Sequence, residues 1–364
     1  PPPPPPPPHP PPPAPPPPRA PPPHTPAPPP PPPPPPPELV PGCRRVPWTS
    51  SRQPDLSVSR DVRFLGGLLT DLAPDLVHLH SAKAGLAGRL ALRGRVPTVY
   101  QPHAWSFHAV GGPVRAATVA WERWAGRWTD AVLCVSEAER SEGVAAGVRS
   151  SSVVVPNGVD LGAFRPATGA DRTGARERLS LDDAPLVVCV GRLSRQKGQD
   201  VLLRAWPRVL SGLPAAHLAL VGEGPAGPEL RRAAGPGVRF AGPTDDSWSW
   251  FAAADVVAVP SRWEGMALVP LEAGATGRSV VASDVAGVRE SVGRDAGAVV
   301  PAGDPDRLAA ALLDRLLDPA LAEREGRAAR RAVQADHDEA DVAHRVLALY
   351  DEVLARRRGG APLT

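Results

Sequence analysis

From about residue 74 onward, short apolar segments alternate with longer helix-like segments, and this alternation restricts the fold more than any other feature. One set of apolar segments covers residues 75–81, 98–103, 131–136 and 153–156. A second set covers residues 186–191, 218–222, 238–242, 256–260 and 279–283. Short apolar strands between helices are typical of parallel sheets covered on both faces. The sequence therefore predicts an α/β chain with two facing doubly wound, Rossmann-like domains.

Two compositional breaks divide the chain. Residues 1–37 are almost entirely proline, which lacks the backbone donor that helices and sheets require, so a disordered polyproline II arm is expected there. Residues 165–185 are polar and rich in Gly, Asp and Arg, which favours a linker. We accordingly predict an arm at 1–41, a first domain at 42–165, a second domain at 166–345, and a C-terminal helix and tail at 346–364.

Composition excludes several functions. The net charge is only +3, with acidic and basic residues interspersed, so no nucleic-acid partner is expected. The three cysteines, Cys43, Cys134 and Cys189, lack metal-ligand spacing, and the last two lie in apolar runs typical of buried thiols. No apolar run approaches the roughly 20 residues of a membrane helix, and no signal peptide is visible. These features favour a cytoplasmic location.

Two cations follow the first strand of the second domain, where ligands of doubly wound sheets bind. Arg192 and Lys197 lie between that strand and Gly198, which opens a helix. Guanidinium and ammonium groups beside a helix start can hold a diphosphate. The alternative is a solvated basic loop.

Two carboxylates follow a later strand, at Glu264 and Glu272. Carboxylates accept paired hydrogen bonds from vicinal hydroxyls, such as those of ribose or a sugar ring. With a helix starting near Met266, the amides of residues 265–268 would point at an anion. The alternative, two surface acids, is weak for Glu272, because it follows Leu268 and Leu271 in an apolar stretch where an acid needs a partner.

Histidines of the first domain are further candidates for the site. His103 ends a predicted strand beside the cleft, where it could orient a hydroxyl or share a developing charge, although a purely structural histidine is the alternative. His78 and His80 alternate along one strand and face the same side. A zinc pair would need a third ligand, and none has a helpful spacing, so no metal site is predicted.

The predicted helix at 113–129 combines arginines with tryptophans. Such a pairing suits the headgroup boundary of a membrane, and one interpretation is therefore a peripheral membrane contact. The tryptophans also follow the 3/4 spacing of core residues, so packing into the first domain is the alternative. The residues concerned are Arg115, Arg123, Arg127, Trp121, Trp124 and Trp128.

Taken together, several segments resemble the retaining glycosyltransferases of family 4, which have the GT-B fold and include mannosyl- and glucosyltransferases of bacterial glycolipids and polysaccharides. The matching segments are HLHSAKAGLAGR at 78–89, VYQPHAWSF at 99–107, VSEAER at 135–140, VPNGVD at 155–160, VGRLSRQKG at 190–198, LVGEGP at 220–225 and PSRWEGMALVPLEAGATG at 260–277. They have the order and spacing of that family and span about residues 74–345.

The resemblance implies a metal-independent hexosyl transfer with retention from a nucleotide-diphosphate sugar, with no other cofactor. It makes the first domain acceptor-side and the second nucleotide-sugar-binding. Arg192 and Lys197 would hold the diphosphate, Glu272 the ribose, and Glu264 and His103 would lie at the reacting sugar. The remaining implied positions are the amides of Gly265, Met266, Ala267 and Leu268 near sugar and phosphate, and Asn157 with Gly158 near the hinge.

Several alternatives stay open at this point. The family's first domain opens with a strand and a glycine-rich loop, which residues 38–59 lack, so a truncated or inactive paralogue is one alternative. Another enzyme of the same fold, such as a nucleotide-sugar epimerase or a phosphorylase, is a second, and a proline-rich interaction protein is a third. The donor could be UDP-glucose, UDP-N-acetylglucosamine or GDP-mannose. The acceptor could be an inositol phosphate, a lipid-linked sugar or a small-molecule sugar.

Overall fold

The computed structural model of the chain describes residues 42–49 and 57–359. Contacts divide the chain into a unit that ends at Thr49 and a unit that begins at Ser50. In the first unit, residues 42–49 contain no helix or strand, and Cys43 is exposed. The predicted polyproline arm lies outside the described residues.

The first domain of this unit is a parallel sheet with helices packed around it. Its strands have the order β1-β2-β3-β4 and all pair in parallel. They are β1 (Val77–His80), β2 (Thr98–Gln101), β3 (Ala131–Cys134) and β4 (Ser152–Val154). The helices are α1 (Val58–Leu72), α2 (Ser81–Leu92), α3 (Gly112–Ala125) and α4 (Glu137–Ala145), with short 3₁₀ turns at Ser106–His108 and Gly126–Trp128. Among the described residues, β1 is the first strand and lies at the sheet edge.

The second domain is a six-stranded parallel sheet of order β10-β9-β8-β5-β6-β7. The strand order reverses between β5 and β8, which are neighbours although three helices separate them in sequence. The strands are β5 (Leu186–Val190), β6 (His217–Val221), β7 (Val238–Gly242), β8 (Val256–Val259), β9 (Ser279–Asp284) and β10 (Gly297–Pro301). The helices are α5 (Gly169–Arg178), α6 (Gln199–Gly212), α7 (Gly227–Ala233), α8 (Ser247–Ala253), α9 (Leu268–Ala275), α10 (Val288–Val292), α11 (Pro305–Leu317) and α12 (Pro319–Asp336).

The core of the second domain has two halves, one on each face of the sheet. Successive residues of β5 point to opposite faces, so Val187 packs with Trp206 of α6 and Leu308 of α11. Val188 packs with Phe251 of α8 on the other face. The strand is apolar without alternation because both faces are covered. Cys189, like Cys134 in the first domain, is a buried free thiol, as predicted.

The last helix, α13 (Glu339–Arg358), returns to the first domain. Leu349 and Val353 of α13 pack against Leu133 in the first sheet, and the hydroxyl of Tyr350 lies 2.6 Å from Nδ1 of His78. The chain therefore crosses between the two domains twice. The crossings run side by side, since the backbone amide of Val159 donates to the carbonyl of His337 at 2.9 Å.

The predicted α/β class with two helix-covered parallel sheets is confirmed, and among the described strands the order reverses in the second sheet. Three local features differ from the prediction. Helix α1 and strand β10 were not predicted. The predicted linker at 165–185 is wrong in part, because α5 occupies its centre. A capping box starts this helix: Thr168 Oγ1 accepts from the amide of Asp171, whose carboxylate accepts from the amide of Thr168.

Helix α3 only partly buries its tryptophans. Trp124 is 45% exposed, and its ring lies 4.3 Å from that of Trp128 and 4.1 Å from the guanidinium of Arg127. Trp121 and Trp128 are half-buried, so part of the tryptophan surface packs into the first domain, and the membrane contact stays a prediction. Over residues 42–49 and 57–359, none of the helices has the length and apolar character to cross a bilayer.

Candidate functional site

The candidate site forms where β5 and β8 end side by side, at the strand-order reversal. Ligands of doubly wound sheets bind in this crevice. The loop after β5 carries Arg192 and a 3₁₀ turn at Arg195–Lys197, and it closes against Pro260 after β8. Gly198 makes this contact possible, since it has a left-handed φ of +67° and a Cβ there would lie 2.0 Å from the carbonyl oxygen of Pro260.

The structure brings the predicted cation and carboxylate of these two loops together. Lys197 Nζ lies 2.6 Å from Oε1 of Glu264. Glu264 is buried, with only 6% of its surface exposed, so its charge depends on this partner. Arg192 is exposed on the same loop as Lys197, and in the described part of the chain its guanidinium has no ion-pair partner. One cation is therefore held by Glu264, and a second is open to an anion.

Glu272 lies on the second turn of α9. The helix begins at Leu268, two residues later than predicted, and Ala267 is its N-cap, so residues 265–267 form the loop before it. Burial raises the pKa of the Glu272 carboxyl to about 6, and the nearby charge of Lys197 opposes this rise. Lys197 thus forms an ion pair with Glu264 and also acts electrostatically on Glu272.

His103 approaches the same place from the first domain, on a loop in an unusual conformation. Both His103 (φ 52°) and Ala104 (φ 86°) have left-handed backbones, which non-glycine residues seldom adopt. Nε2 of His103 lies 3.0 Å from Nδ1 of His80. Burial and the neighbouring His80 lower the pKa of His103 to about 4, so its imidazole is neutral at pH 7.

Glu139 holds this loop in place, and sequence reasoning did not single it out. Its Oε1 accepts from the amide of Ala104 at 2.6 Å, and its Oε2 accepts from the amide of Val135 at 2.8 Å. Glu139 is fully buried, and burial raises its pKa. A buried carboxylate that accepts two main-chain amides can stabilise a strained backbone. The signal available in the sequence was an acid two residues into a helix that follows a buried strand.

The two domains meet at Gly265. A Cβ at this residue would lie 2.6 Å from the amide nitrogen of Ala104 and 2.7 Å from Oε1 of Glu139. The carbonyl of Gly265 accepts from Ser136 Oγ at 2.8 Å, and that of Met266 accepts from Nδ2 of Asn157 at 2.9 Å. The predicted amide-rich loop at 265–268 is therefore packed directly against the His103 loop.

A second contact between the domains uses a carboxylate of α10. The side chain of Glu290 accepts from the amides of Glu137 and Ala138, at 2.8 and 3.1 Å, at the start of α4. A carboxylate at a helix start is favoured by the free amides and the helix dipole. This contact reinforces the closed arrangement of the cleft.

Asn157 and Gly158 lie after β4, where the chain leaves the first domain. The carbonyl of Asn157 lies 2.9 Å from Nδ1 of His337, and a Cβ at Gly158 would lie 2.7 Å from the Cα of Glu339. Both residues therefore contact the second crossing between the domains.

His78 and His80 face the same side, with ring centroids 4.0 Å apart. Their partners are Tyr350 and His103 respectively. Across the described residues, no group of three or more His, Cys, Asp or Glu side chains is arranged to hold a metal ion. The two histidines therefore act as hydrogen-bonding partners in this structure.

The arrangement as a whole can bind a diphosphate and a polyhydroxylated group. Arg192 and Lys197 supply positive charge, while Glu264 and Glu272 supply acceptors for hydroxyls. His103 and the 265–268 loop meet above them from opposite domains. Two facing Rossmann-like domains with such loops at their cleft define the GT-B class.

Solved structures agree with this class. The structure of Anabaena HepE in complex with UDP and glucose matches with a TM-score of 0.72 and 23% identity, over 82% of this chain and 84% of that one. Sucrose-phosphate synthase from Thermosynechococcus elongatus matches with a TM-score of 0.71 and 27% identity, over 82% and 78% of the two chains. The GT-B fold is thereby confirmed.

Sequence comparisons give the family. The models described as "Glycosyltransferase Family 4" and "Glycosyl transferases group 1" match residues 3–163 and 184–318. A GDP-mannose-dependent alpha-(1-6)-phosphatidylinositol monomannoside mannosyltransferase from Mycobacterium tuberculosis is 36% identical over 266 residues, which are 69% of this chain and 68% of that protein. A GDP-mannose-dependent monoacylated alpha-(1-6)-phosphatidylinositol monomannoside mannosyltransferase from Corynebacterium glutamicum is 37% identical over 50% of this chain, which spans only 51% of that relative. The chain belongs to glycosyltransferase family 4.

Proposed function

We propose that this chain transfers a hexosyl group from a nucleotide-diphosphate sugar to an acceptor hydroxyl, with retention of configuration and without a metal ion. The observation that carries the proposal is the Lys197–Glu264 pair, 2.6 Å apart, on a loop that also carries the exposed Arg192. Family membership supports the reaction class, and the resemblance to family 4 implies retention. The anomeric configuration of the product, read from its one-bond C1–H1 NMR coupling, tests retention separately.

The roles follow from charge and position. As the donor bond breaks, negative charge grows on the nucleoside diphosphate, and Arg192 and Lys197 stabilise it there. Amides of Gly265, Met266, Ala267 and Leu268 add partial positive charge at the loop and first turn of α9. Glu272 accepts from the ribose hydroxyls, and Glu264 lies at the transferred sugar. These groups would supply the electrostatic stabilisation that a metal ion supplies elsewhere.

His103 is proposed to lie at the reacting sugar as a neutral imidazole. A neutral ring can donate a hydrogen bond to a sugar hydroxyl without bringing a positive charge next to an oxocarbenium-like centre. Its lowered pKa, about 4, keeps it neutral throughout the physiological range. Glu139 is then a positioning residue, since it binds the amide that follows His103.

GDP-mannose is the donor favoured by the relatives from M. tuberculosis and C. glutamicum. Their names also favour an inositol-containing glycolipid as acceptor.

We propose a cytoplasmic protein in which α3 and the turn after it contact the membrane peripherally. The contact would use the exposed side chains of Trp124 and Val114 together with Arg123 and Arg127. Flotation with anionic vesicles tests the contact, and wild-type flotation of Trp124→Ala would contradict it.

A donor screen tests the proposed function. GDP-mannose is expected to raise the melting temperature more than UDP-glucose or UDP-N-acetylglucosamine. Transfer is then measured from the stabilising donor to phosphatidylinositol monomannoside in vesicles and, separately, to D-inositol 3-phosphate. Donor binding without transfer to any acceptor would favour the inactive paralogue, whereas interconversion of the donor sugar alone would favour an epimerase.

Donor binding should weaken in acid. The pKa of Glu272 is about 6, so the carboxyl gains a proton as the pH falls from 7 to 5 and no longer accepts both hydroxyls as an anion. At pH 5 the Glu272 carboxyl of the free protein would be protonated in about ten molecules for each one in which it is ionised. The dissociation constant for GDP-mannose should therefore rise about tenfold between pH 7 and pH 5. Titration calorimetry measures this. Glu272→Gln should bind weakly at both pH values; an equal pH dependence in that variant would contradict the assignment.

A further inference from the structure

A groove of about 470 Å³ lies on the second domain, away from the proposed donor site. Its walls are residues 166–168 with the first turn of α5, the turn at 276–278 between α9 and β9, and α12. The turn precedes β9, so the groove lies at the amino edge of the parallel sheet. The donor loops follow the carboxyl ends of β5 and β8. The two places are therefore at opposite edges of the same sheet.

The groove is strongly basic. Among the described residues that line it, one is acidic, Glu323, whereas five are arginines. The arginines come from three separate elements, so the charge is assembled by the fold and not by a run in the sequence. They are Arg172, Arg278, Arg327, Arg330 and Arg331.

Two of these guanidiniums are fixed by neutral groups. Arg278 donates from Nε and Nη2 to two main-chain carbonyls at the end of α8, at 2.9 and 2.8 Å. Arg330 donates from Nη1 to the carbonyls of Phe164 and Ala275, at 3.0 and 2.9 Å. Nε of Arg330 is buried and has no hydrogen-bond partner in the described part of the chain. Carbonyls orient these cations without neutralising them.

The half-buried carboxylate of Asp255 is shared between two guanidiniums, since it lies 3.0 Å from both Arg172 and Arg176. The fully exposed Asp183 lies 3.9 Å from Arg172, a contact of the kind that contributes little. Burial lowers the pKa of the neighbouring Arg278 to about 10, and the charges of Arg172 and Arg176 lower it further against the opposing effect of Asp255. Positive charge therefore exceeds negative charge at the floor of the groove.

The outer rim is basic and open. Arg327 lies 3.4 Å from Glu323, an exposed ion pair of the kind that contributes little. Arg331 is exposed, and across the described residues no acidic side chain lies within ion-pair distance of it. Both side chains project from α12, four residues apart and thus on one face of the helix.

We propose that this groove binds a phosphate-bearing anion, at a site separate from the donor cleft. Guanidinium groups match the geometry of phosphate oxygens and bind them with paired, charge-assisted hydrogen bonds. Arg278 and Arg330 form a pre-oriented floor, while Arg327 and Arg331 close over the ligand from the rim. Because Arg330 also binds the last carbonyl of α9, the ligand would lie against the end of the helix that carries Glu272.

The test measures binding of inorganic phosphate to the full chain by thermal shift and calorimetry, at constant ionic strength set with sodium chloride. Arg327→Gln with Arg331→Gln should weaken phosphate binding roughly tenfold or more, since two charge-assisted contacts are lost. Arg204→Gln with Arg208→Gln removes the same charge from exposed positions on α6 and should bind as the wild type does. Lys197→Ala should also retain phosphate binding, which separates this groove from the donor site.

A vesicle arm distinguishes the source of the phosphate. Cosedimentation with phosphatidylcholine vesicles containing phosphatidic acid, reduced in the Arg327/Arg331 double variant, would assign a lipid headgroup. Phosphate binding without such vesicle binding would assign a soluble phosphate compound. If the double variant binds phosphate and vesicles as the α6 control does, or if the wild type binds phosphate no better than chloride, the groove is not an anion site.

Discussion

Replacing Lys197 by alanine is expected to abolish donor-induced stabilisation and to lower kcat/KM by about 10²–10³, as the loss of one preorganised electrostatic contact does elsewhere. The change removes the charge nearest the proposed diphosphate. It also leaves Glu264, which is buried, without the ammonium 2.6 Å away. Removing one partner of a buried ion pair is strongly destabilising, so the sugar side of the site would be disturbed as well.

The measurement is a donor titration followed by melting temperature, with initial rates on the best acceptor. Arg208→Ala is the matched control, because Arg208 lies on the exposed face of α6. In the described part of the chain its only ion-pair partner is the exposed Asp306. Lys197→Arg should recover little activity, since a planar guanidinium cannot occupy the position of a compact ammonium. A donor-induced shift in Lys197→Ala as large as in the wild type would place the donor elsewhere.

Gly265→Ala is expected to lower kcat/KM about 10²-fold, because displacing reacting groups by about 1 Å is enough for such a loss. The new methyl group would lie 2.6 Å from the amide of Ala104 and 2.7 Å from Oε1 of Glu139. Backbone on one side and a buried carboxylate on the other cannot give way easily. Relief requires either that the domains separate or that the His103 loop moves.

Small-angle scattering distinguishes these outcomes, since separation of the domains increases the radius of gyration and movement of the loop does not. The control is Gly67→Ala, on the exposed surface of α1, where a Cβ meets nothing within 4 Å. It should leave activity unchanged and stabilise α1 slightly, since alanine favours helix over glycine by about 1 kcal/mol. Wild-type activity in Gly265→Ala would mean that the cleft works in a more open arrangement than this one.

The sequence predicted the parts of the fold that have strong local signals. The buried strands at β5, β6 and β8 are continuous apolar runs, and the loops that follow them hold Arg192, Lys197 and Glu264. The topology rule for parallel sheets is enough to gather these loops at one edge. The direct contact between Lys197 and Glu264 could not be predicted from the sequence, because 67 residues separate them.

Features with weak local signals, and features that depend on contacts between distant residues, were not predicted. The capping box of α5, formed by Thr168 and Asp171, is a local sequence pattern, but the polar composition of residues 165–185 favoured a linker over a helix. Strand β10 is a five-residue segment between turns, with a weak apolar pattern. Glu139 reads as an ordinary helix residue until the fold brings it to the amide of Ala104, 35 residues away. The basic groove likewise exists only because α5, the α9–β9 turn and α12 converge.

The paired crossings between the domains set how the cleft can move. At the junction, Val159 donates to the carbonyl of His337 and accepts from the amide of Glu339, so the two crossings form a short bonded ribbon. A single connection would allow one domain to swivel freely about it. A ribbon of two chains resists swivelling but still bends across its width. Opening should therefore follow one hinge axis, which would return Gly265 to the same place against the His103 loop at each closure.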